Sequence, residues 1–395
     1  MRKIVLMSLL MGFGLLSNCK SDDPSPSDPD NPDEPNVPEG YYFGADLSYV
    51  NQILDYNGVF KDDGATKDPY QIFSDHGTNL ARFRLWHTPS WTKTVYDPAI
   101  DHMYNDLTDV EEGIQSAKDA GMEVLLDFHY SDIWADPENQ DVPEAWENIT
   151  NIEVLKDSVY NYTLQTLSYL KGKGLMPELV QIGNETNCGM MFSDAPDAFP
   201  KLNVCDGNWA NIGQVINVAI DAVREVEAST KIILHVAEPQ HVDWWFGEIT
   251  TSGGVSDFDM IGISYYPLWH DDVPLGNISN TISSLKSKYS KEVIILETAY
   301  PWTTEGDDSY NNLFGGQTPL SGFPFTEQGQ YDLLVRIAQE VIDGGGIGVV
   351  YWEPAWISSN MKDLWGTGSS WENCAFFDFS GNPVPAMDWP SAQFK

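Results

Sequence analysis

The sequence is poor in positive charge. Lys and Arg number 21 against 59 Asp and Glu, and the net charge is −38. A surface this acidic repels a phosphate backbone, which excludes nucleic acid as a partner. It equally disfavours a polyanion such as bare polygalacturonate, whereas a neutral polysaccharide is compatible with it. Cysteine is scarce, with 4 in 395 residues, and no His/Cys spacing of a zinc site is present. No Gly-rich phosphate loop follows the first strand-like segment, which disfavours a doubly wound dinucleotide-binding sheet. The apolar run from Ile4 to Leu16 is too short to span a bilayer.

That run follows Arg2-Lys3, so residues 1–18 read as an export signal and stay outside fold reasoning. Leu16-Ser17-Asn18-Cys19 resembles the lipobox of bacterial lipoproteins, which implies lipidation of Cys19 and a membrane anchor. Lys20-Ser-Asp-Asp23 resembles the acidic export tag of outer-surface lipoproteins and implies an outer-membrane, cell-surface location. Residues 19–40 are rich in Pro, Asp and Ser and read as a disordered tether. Residues 41–395 then form one domain, expected to be monomeric. In an exported protein Cys188 and Cys205, which flank one loop, are the expected disulfide, with Cys374 left as a buried thiol. Spacing alone does not fix that pairing.

What is present in quantity is aromatic: 14 Trp and 18 Tyr. An indole face suits the C–H face of a sugar ring. From Tyr42 onward, strand-like and helix-like segments alternate. The expected strands are Tyr42–Tyr49, Leu80–Trp86, Glu123–Tyr130, Pro177–Glu185, Lys231–Glu238, Met260–Pro267, Glu292–Glu297 and Gly348–Trp356. Helical spacing marks Asp106–Ala120, Val154–Gly172, Asn208–Glu227, Ile278–Tyr289 and Thr326–Asp343. Alternation of this kind implies parallel pairing. Eight such units predict an α/β fold, a single (β/α)8 TIM barrel with long loops at the C-terminal face of the strands. The polar and aromatic residues collect at those strand ends: Arg84, Trp86, Asp127, His129, Asn184, Glu185, Glu238, Tyr265, Tyr266, Glu297, Trp352 and Trp356.

Two of the apolar strands end in a carboxylate, Glu185 and Glu297. A carboxylate at a buried strand end is costly unless it is paired or used. Two facing each other across a cleft are the equipment for cleaving a glycosidic bond. Asn-Glu ending the fourth strand and Glu ending the seventh is the pattern of the large clan of retaining barrel glycosidases. Within it, Asp127-Phe-His-Tyr-Ser-Asp-Ile-Trp-Ala-Asp-Pro137, Gln181-Ile-Gly-Asn-Glu185, Ser264-Tyr-Tyr-Pro-Leu-Trp-His270, Glu297-Thr-Ala-Tyr-Pro-Trp302 and Tyr351-Trp-Glu-Pro-Ala-Trp356 resemble glycoside hydrolase family 53, the endo-β-1,4-galactanases. The resemblance runs from about Tyr42 to the C-terminus and departs from the pattern at Ala237-Glu-Pro-Gln-His241.

The resemblance implies a retaining hydrolase of β-1,4-galactan, with no cofactor for the chemistry. It makes Glu185 the general acid/base, Glu297 the nucleophile and Asn184 the residue that holds the sugar 2-hydroxyl. Arg84 is placed to keep Glu297 ionised, with Arg82 one layer deeper on the same face as the alternative. Tyr265, or Tyr266 beside it, is expected to hydrogen-bond Glu297. His129 is expected to support the acid/base side, and Asp127 to brace the strand ends. Trp86, Asp132, Trp302, Trp352 and Trp356 are the expected substrate contacts, with Trp352 as floor. Glu305, Asp307, Ser309 and Asn311 carry oxygens at alternate positions of one loop, a pattern suited to Ca²⁺. By resemblance, Ser369 and Glu372 complete that structural site. Two other readings compete: a barrel glycosidase on mannan or glucan, and a surface glycan-binding lipoprotein without activity. The family motifs oppose the first, and the presence of both Glu residues opposes the second.

Overall fold

The computed structural model describes residues 37–395. The lipidation at Cys19, the signal segment 1–18 and most of the tether 19–40 lie outside the described residues. Eight parallel strands close into a barrel: β1 (Tyr42–Asp46), β2 (Leu80–Leu85), β3 (Glu123–Phe128), β4 (Leu179–Ile182), β5 (Lys231–Ala237), β6 (Met260–Ser264), β7 (Glu292–Glu297) and β8 (Gly348–Tyr351). Each neighbour in sequence is a neighbour in the barrel, and β8 returns to pair with β1. A two-stranded hairpin, Lys61–Asp62 with Ala65–Thr66, lies outside it. This is the expected (β/α)8 architecture.

The helices form where the apolar period is near 3.6 and a capping side chain is at hand. Asp106 opens Leu107–Asp119 by accepting from the N–H groups of Thr108 and Asp109. Thr326 opens Glu327–Asp343 by accepting from Gly329 N–H. Trp209–Val226 buries Ile212, Val215, Ile216, Ala219 and Val223 on one face. The short helices Val50–Asp55, Pro69–Asp75 and Trp91–Thr94 were not expected, nor was the longer Pro239–Thr251, after β5. Its signal is Pro239 itself, whose fixed φ and missing N–H suit a first helical turn.

The barrel interior has two levels, and the period of a strand produces them. Leu80, Leu125, Leu179, Ile233, Met260, Ile294, Leu296 and Val350 close the lower bore as one dry cluster. Two residues further along their strands, the side chains on that same face are Arg82, Asp127, Gln181 and His235. Gly262 makes room in this packing, because a Cβ there would meet Leu296 Cδ1 at 2.2 Å. The β6–β7 register shifts between Ile263 and Ser264, so Ser264 pairs with Glu297. That shift lets Leu296 stay in the apolar floor while the next residue, Glu297, ends among the polar groups.

Among the described residues no helix is long and apolar enough to cross a membrane. Cys188 and Cys205 form the expected disulfide, and Cys374 is a buried free thiol.

Candidate active site

Backbone just past the strand ends turns in the left-handed region at Tyr130, Glu185, Glu238 and Glu353, with φ of 50°, 45°, 63° and 48°. Non-glycine residues adopt this conformation at a cost that surrounding structure must offset. At Glu185 the offset is visible. Gly183, with φ 77°, begins the reversal. Glu185 N–H then donates to His235 Nδ1 at 3.3 Å, and Thr186 donates to the His235 carbonyl through N–H and Oγ1 at 3.0 and 2.9 Å. The chain is thereby turned so that the Glu185 carboxyl enters the cleft above the polar level.

Glu185 and Glu297 face each other there. Oxygens of both carboxyls and a ring nitrogen of His235 all lie within 4.8 Å of one another. The cleft has a volume of about 330 Å³ and is lined by Asn184, His129, Trp134, Tyr266, Trp269 and Trp352 among others. Burial pushes the Glu185 carboxyl well above its ordinary range, and the charge of Glu297 pushes it further. Burial also raises Glu297, but Arg82 and the Tyr266 hydroxyl oppose that rise. Glu185 therefore holds its proton while Glu297 gives its own up first.

Arg82 organises this half of the site. Its Nη1 donates to Asp46 Oδ2 and to Glu297 Oε1, both at 2.9 Å. Its Nη2 donates to Asp127 Oδ2 and Asn184 Oδ1, both at 2.8 Å, and Nε to Gln181 Oε1 at 3.2 Å. All five guanidinium N–H bonds are fixed toward oxygen, the geometry in which a buried arginine is tolerated. Asp127 is thus the brace it was expected to be.

Several expected contacts fall elsewhere. The arginine beside Glu297 is Arg82, not Arg84. Arg84 sits one layer further out, against the rings of Trp134, Tyr49 and Trp86, and pairs with Glu353 at 3.1 Å. Tyr266, not Tyr265, donates to Glu297, at 3.0 Å to Oε2. Tyr265, one residue earlier, points to the other face and donates to the Val273 carbonyl at 3.2 Å. His129 lies beside Asp127, its Nε2 3.1 Å from Oδ2, and so braces the arginine side rather than Glu185. Its Nδ1 accepts from Trp86 Nε1 and Ala135 N, which leaves the proton on Nε2. The histidine beside Glu185 is His235, which sequence reading missed. Its signal was alternation: it follows inward Ile233 by two residues in an otherwise apolar strand.

The expected substrate contacts divide in the same way. Trp352 lines the cleft, and Trp356 lines a neighbouring trough of about 630 Å³ that shares Trp134 and Trp352 with it. Trp86 is fully buried beneath Trp91 and Trp134 and supports the floor without meeting solvent. Both Asp132 oxygens are taken, by Thr88 N–H at 2.7 Å and Glu144 N–H at 2.9 Å, so it ties loops together. Trp302 packs on Phe379 with ring centroids 4.9 Å apart, away from the cleft lining. Asn184 is in place at the cleft, its amide donating to the Ala135 carbonyl at 2.8 Å.

The residues expected to hold Ca²⁺ do not gather. Glu305, Asp307, Ser309 and Asn311 are all exposed. The loop is bent rather than extended, so alternation does not select one face. The carboxylate that turns inward is the intervening Asp308, which accepts from Ser358 Oγ at 2.8 Å and Ser369 N–H at 2.9 Å. Glu372 accepts from Asp307 N–H at 2.8 Å, and its other oxygen meets Ser358 Oγ, whose single proton it shares with Asp308. Ser369 Oγ donates to the Trp356 carbonyl instead. With the four loop side chains turned to solvent and Glu372 and Ser369 engaged elsewhere, the six residues do not converge on one point as the six to eight oxygen ligands of Ca²⁺ must.

One carboxyl that keeps its proton and one that loses it, facing across the C-terminal mouth of a (β/α)8 barrel, can donate to a leaving oxygen and attack an anomeric carbon. The class so defined is glycoside hydrolase. The model of glycosyl hydrolase family 53 matches residues 42–389, and the chain belongs to that family. It is 41% identical over 361 residues to an arabinogalactan endo-β-1,4-galactanase of Cellvibrio japonicus, covering 90% of this chain and 92% of that one. It is 32% identical to an endo-β-1,4-galactanase of Bacillus subtilis, over 87% of this chain and 84% of that one. Among solved structures it is similar to the family 53 catalytic domain from Ignisphaera aggregans, with TM-score 0.80 and 31% identity over 92% and 99% of the two chains. A family 1 β-glucosidase from Thermotoga maritima, at 14% identity and TM-score 0.53 over 90% and 97%, shares the fold.

Proposed function

We propose that this enzyme cleaves β-1,4-galactosidic bonds inside galactan chains, including the type I arabinogalactan side chains of pectin, with retention at the anomeric carbon. The observation that carries the mechanism is the approach of the Glu185 and Glu297 carboxyl oxygens to within 4.8 Å. Retaining enzymes hold the two groups about 5–5.5 Å apart, whereas inverting ones leave room for a water at about 6.5–9.5 Å. The substrate rests on the family and on the printed activities of the relatives.

In the first step Glu297 attacks the anomeric carbon. Glu185 gives its proton to the departing glycosidic oxygen, and a galactosyl ester on Glu297 results. In the second step Glu185, now a carboxylate, takes a proton from water. The water oxygen attacks the anomeric carbon from the side the leaving group left, and Glu297 is released. Arg82 and Tyr266 hold Glu297 as an anion for the first step and accept it again after the second. Trp352 and Trp134 supply the apolar floor on which a galactose ring stacks.

The acidic surface tolerates a neutral chain and disfavours the charged pectin backbone. A lipidated Cys19 holding a monomeric enzyme at the outer membrane is part of the same reading. Galactan hydrolysis followed by proton NMR tests it. The β-anomer should appear first, with a rapid fall in viscosity and with mannan and cellulose left intact. First appearance of the α-anomer, or faster cleavage of mannan, overturns it.

A further inference from the structure

Gln140 is buried and does not line the cleft. Its carboxamide nitrogen faces three main-chain carbonyls: Asn184 at 2.8 Å, Asp136 at 2.9 Å and Glu185 at 3.4 Å. Carbonyl oxygens only accept, so this end of the amide is the NH₂, and its two protons go to the nearer two oxygens. The Asn184 carbonyl belongs to the peptide that enters Glu185, the residue with φ of 45°. The Glu185 carbonyl belongs to the peptide that leaves it. One side chain from another loop therefore meets the left-handed turn on both sides of Glu185. Gln140 is itself held. Its N–H donates to Ser193 Oγ, and its carbonyl accepts from Phe192 N–H at 2.7 Å. Asp136 folds the same loop, accepting from the N–H groups of Glu138 and Asn139, both at 2.8 Å. Asn184 adds a second tie through Nδ2 to the Ala135 carbonyl at 2.8 Å. Ala135, Asp136 and Pro137 of that loop line the cleft. The cleft wall and the turn that carries Glu185 are thus one hydrogen-bonded unit.

We propose that Gln140 is a positioning residue, which sets the reach of the Glu185 carboxyl toward the departing glycosidic oxygen by holding the carbonyls on either side of it. The proposal rests on Glu185 being the acid/base. A left-handed non-glycine residue persists only where its surroundings hold it, so without this clamp the turn relaxes. The carboxyl moves with its backbone, and a misplacement of about 1 Å is enough to cost roughly 10²-fold in rate. The step that suffers is the one in which the proton must already point at the leaving oxygen. A substrate whose leaving group departs without a proton does not need that alignment.

The test is the leaving-group dependence of Gln140→Met, which keeps the length of the side chain and removes its donors. Its kcat/KM on galactan, whose leaving sugar needs a proton, should fall about 10²-fold. On dinitrophenyl β-galactobioside, whose leaving phenolate needs none, it should fall by less than about threefold. Equal losses on the two substrates, or no loss on galactan, overturn the proposal. Ser193→Ala is the second variant, at an exposed position where folding is not at stake. It releases the Gln140 N–H, and galactan alone should then lose about threefold. Should Gln140→Met fail to fold, an equal or absent loss in Ser193→Ala overturns the proposal in its place. Glu185→Ala on the same two substrates reads the acid role separately. A large loss on galactan with a small one on the aryl substrate keeps Glu185 as the acid, and a missing split in Gln140→Met then counts against Gln140 alone. Without a split in Glu185→Ala, the acid role and the proposal fall together.

Discussion

Tyr266 Oη lies 3.0 Å from Glu297 Oε2, while Arg82 Nη1 holds Oε1 of the same carboxylate at 2.9 Å. Each oxygen of the nucleophile thus has one donor. Tyr266→Phe should lower kcat on galactan by about 10²-fold, the range for losing one aimed donor. Tyr265→Phe should leave kcat near wild type and cost about 1 kcal/mol of stability, since only the Val273 carbonyl loses a partner. Steady-state kinetics on the two variants, together with urea denaturation, separate them.

The pH dependence follows from the direction of the two carboxyl shifts. Activity needs Glu297 ionised and Glu185 protonated. It should rise as pH passes the Glu297 value and fall as pH passes the higher Glu185 value. Glu185→Gln, measured on an activated aryl galactoside to bypass the need for an acid, should lose the alkaline limb and keep the acid one.

Arg82 is shared by Asp46, Asp127 and Glu297, and all four side chains are buried. Arg82→Met leaves three carboxylates facing one another without their cation. The expected loss is about 3–5 kcal/mol in urea denaturation. Arg84→Met should cost less at Glu297, and its effect on the nucleophile's acid limb should be nil, because Arg84 pairs with Glu353.

Trp86 and Trp352 should part company under substitution. Trp86→Ala empties a fully buried site and should cost about 3–5 kcal/mol of stability. Trp352→Ala should instead raise KM for galactan about tenfold or more, with a smaller change in melting temperature, because that ring lines the cleft.

Cys19→Ala should move the protein from membrane to soluble fractions. Unchanged fractionation with the membrane would remove the lipid anchor from the reading.

The barrel was legible in the sequence because its signals are long and repeated. Each strand carries an apolar run, and each long helix a 3.6 period. What was not legible turned on single positions. Arg82 and Arg84 share one face, so alternation cannot say which reaches Glu297; the stagger of neighbouring strands and the ring cage of Trp86, Trp134 and Tyr49 decide it. Tyr265 and Tyr266 sit just past the end of β6, where alternation no longer binds, and only the turn settles which faces in. His235 was hidden by its apolar neighbours, and the donors at 305, 307, 309 and 311 were grouped by a rule that holds for extended chain and fails on a bent loop.

The dry floor of the barrel has a kinetic meaning. Leu80, Leu125, Leu179, Ile233 and Ile294 stop the bore directly beneath the polar level, so nothing hydrated approaches Glu185 from below. The site is a blind well, open only where the polysaccharide enters. While the cleft is empty, a deuteron on Glu185 trades freely with the bulk. Once a chain lies across the mouth, the productive destination of that label is the departing sugar. The attacking water then resets it. Every proton that Glu185 takes up, like the attacking water itself, therefore arrives through the same opening as the polysaccharide.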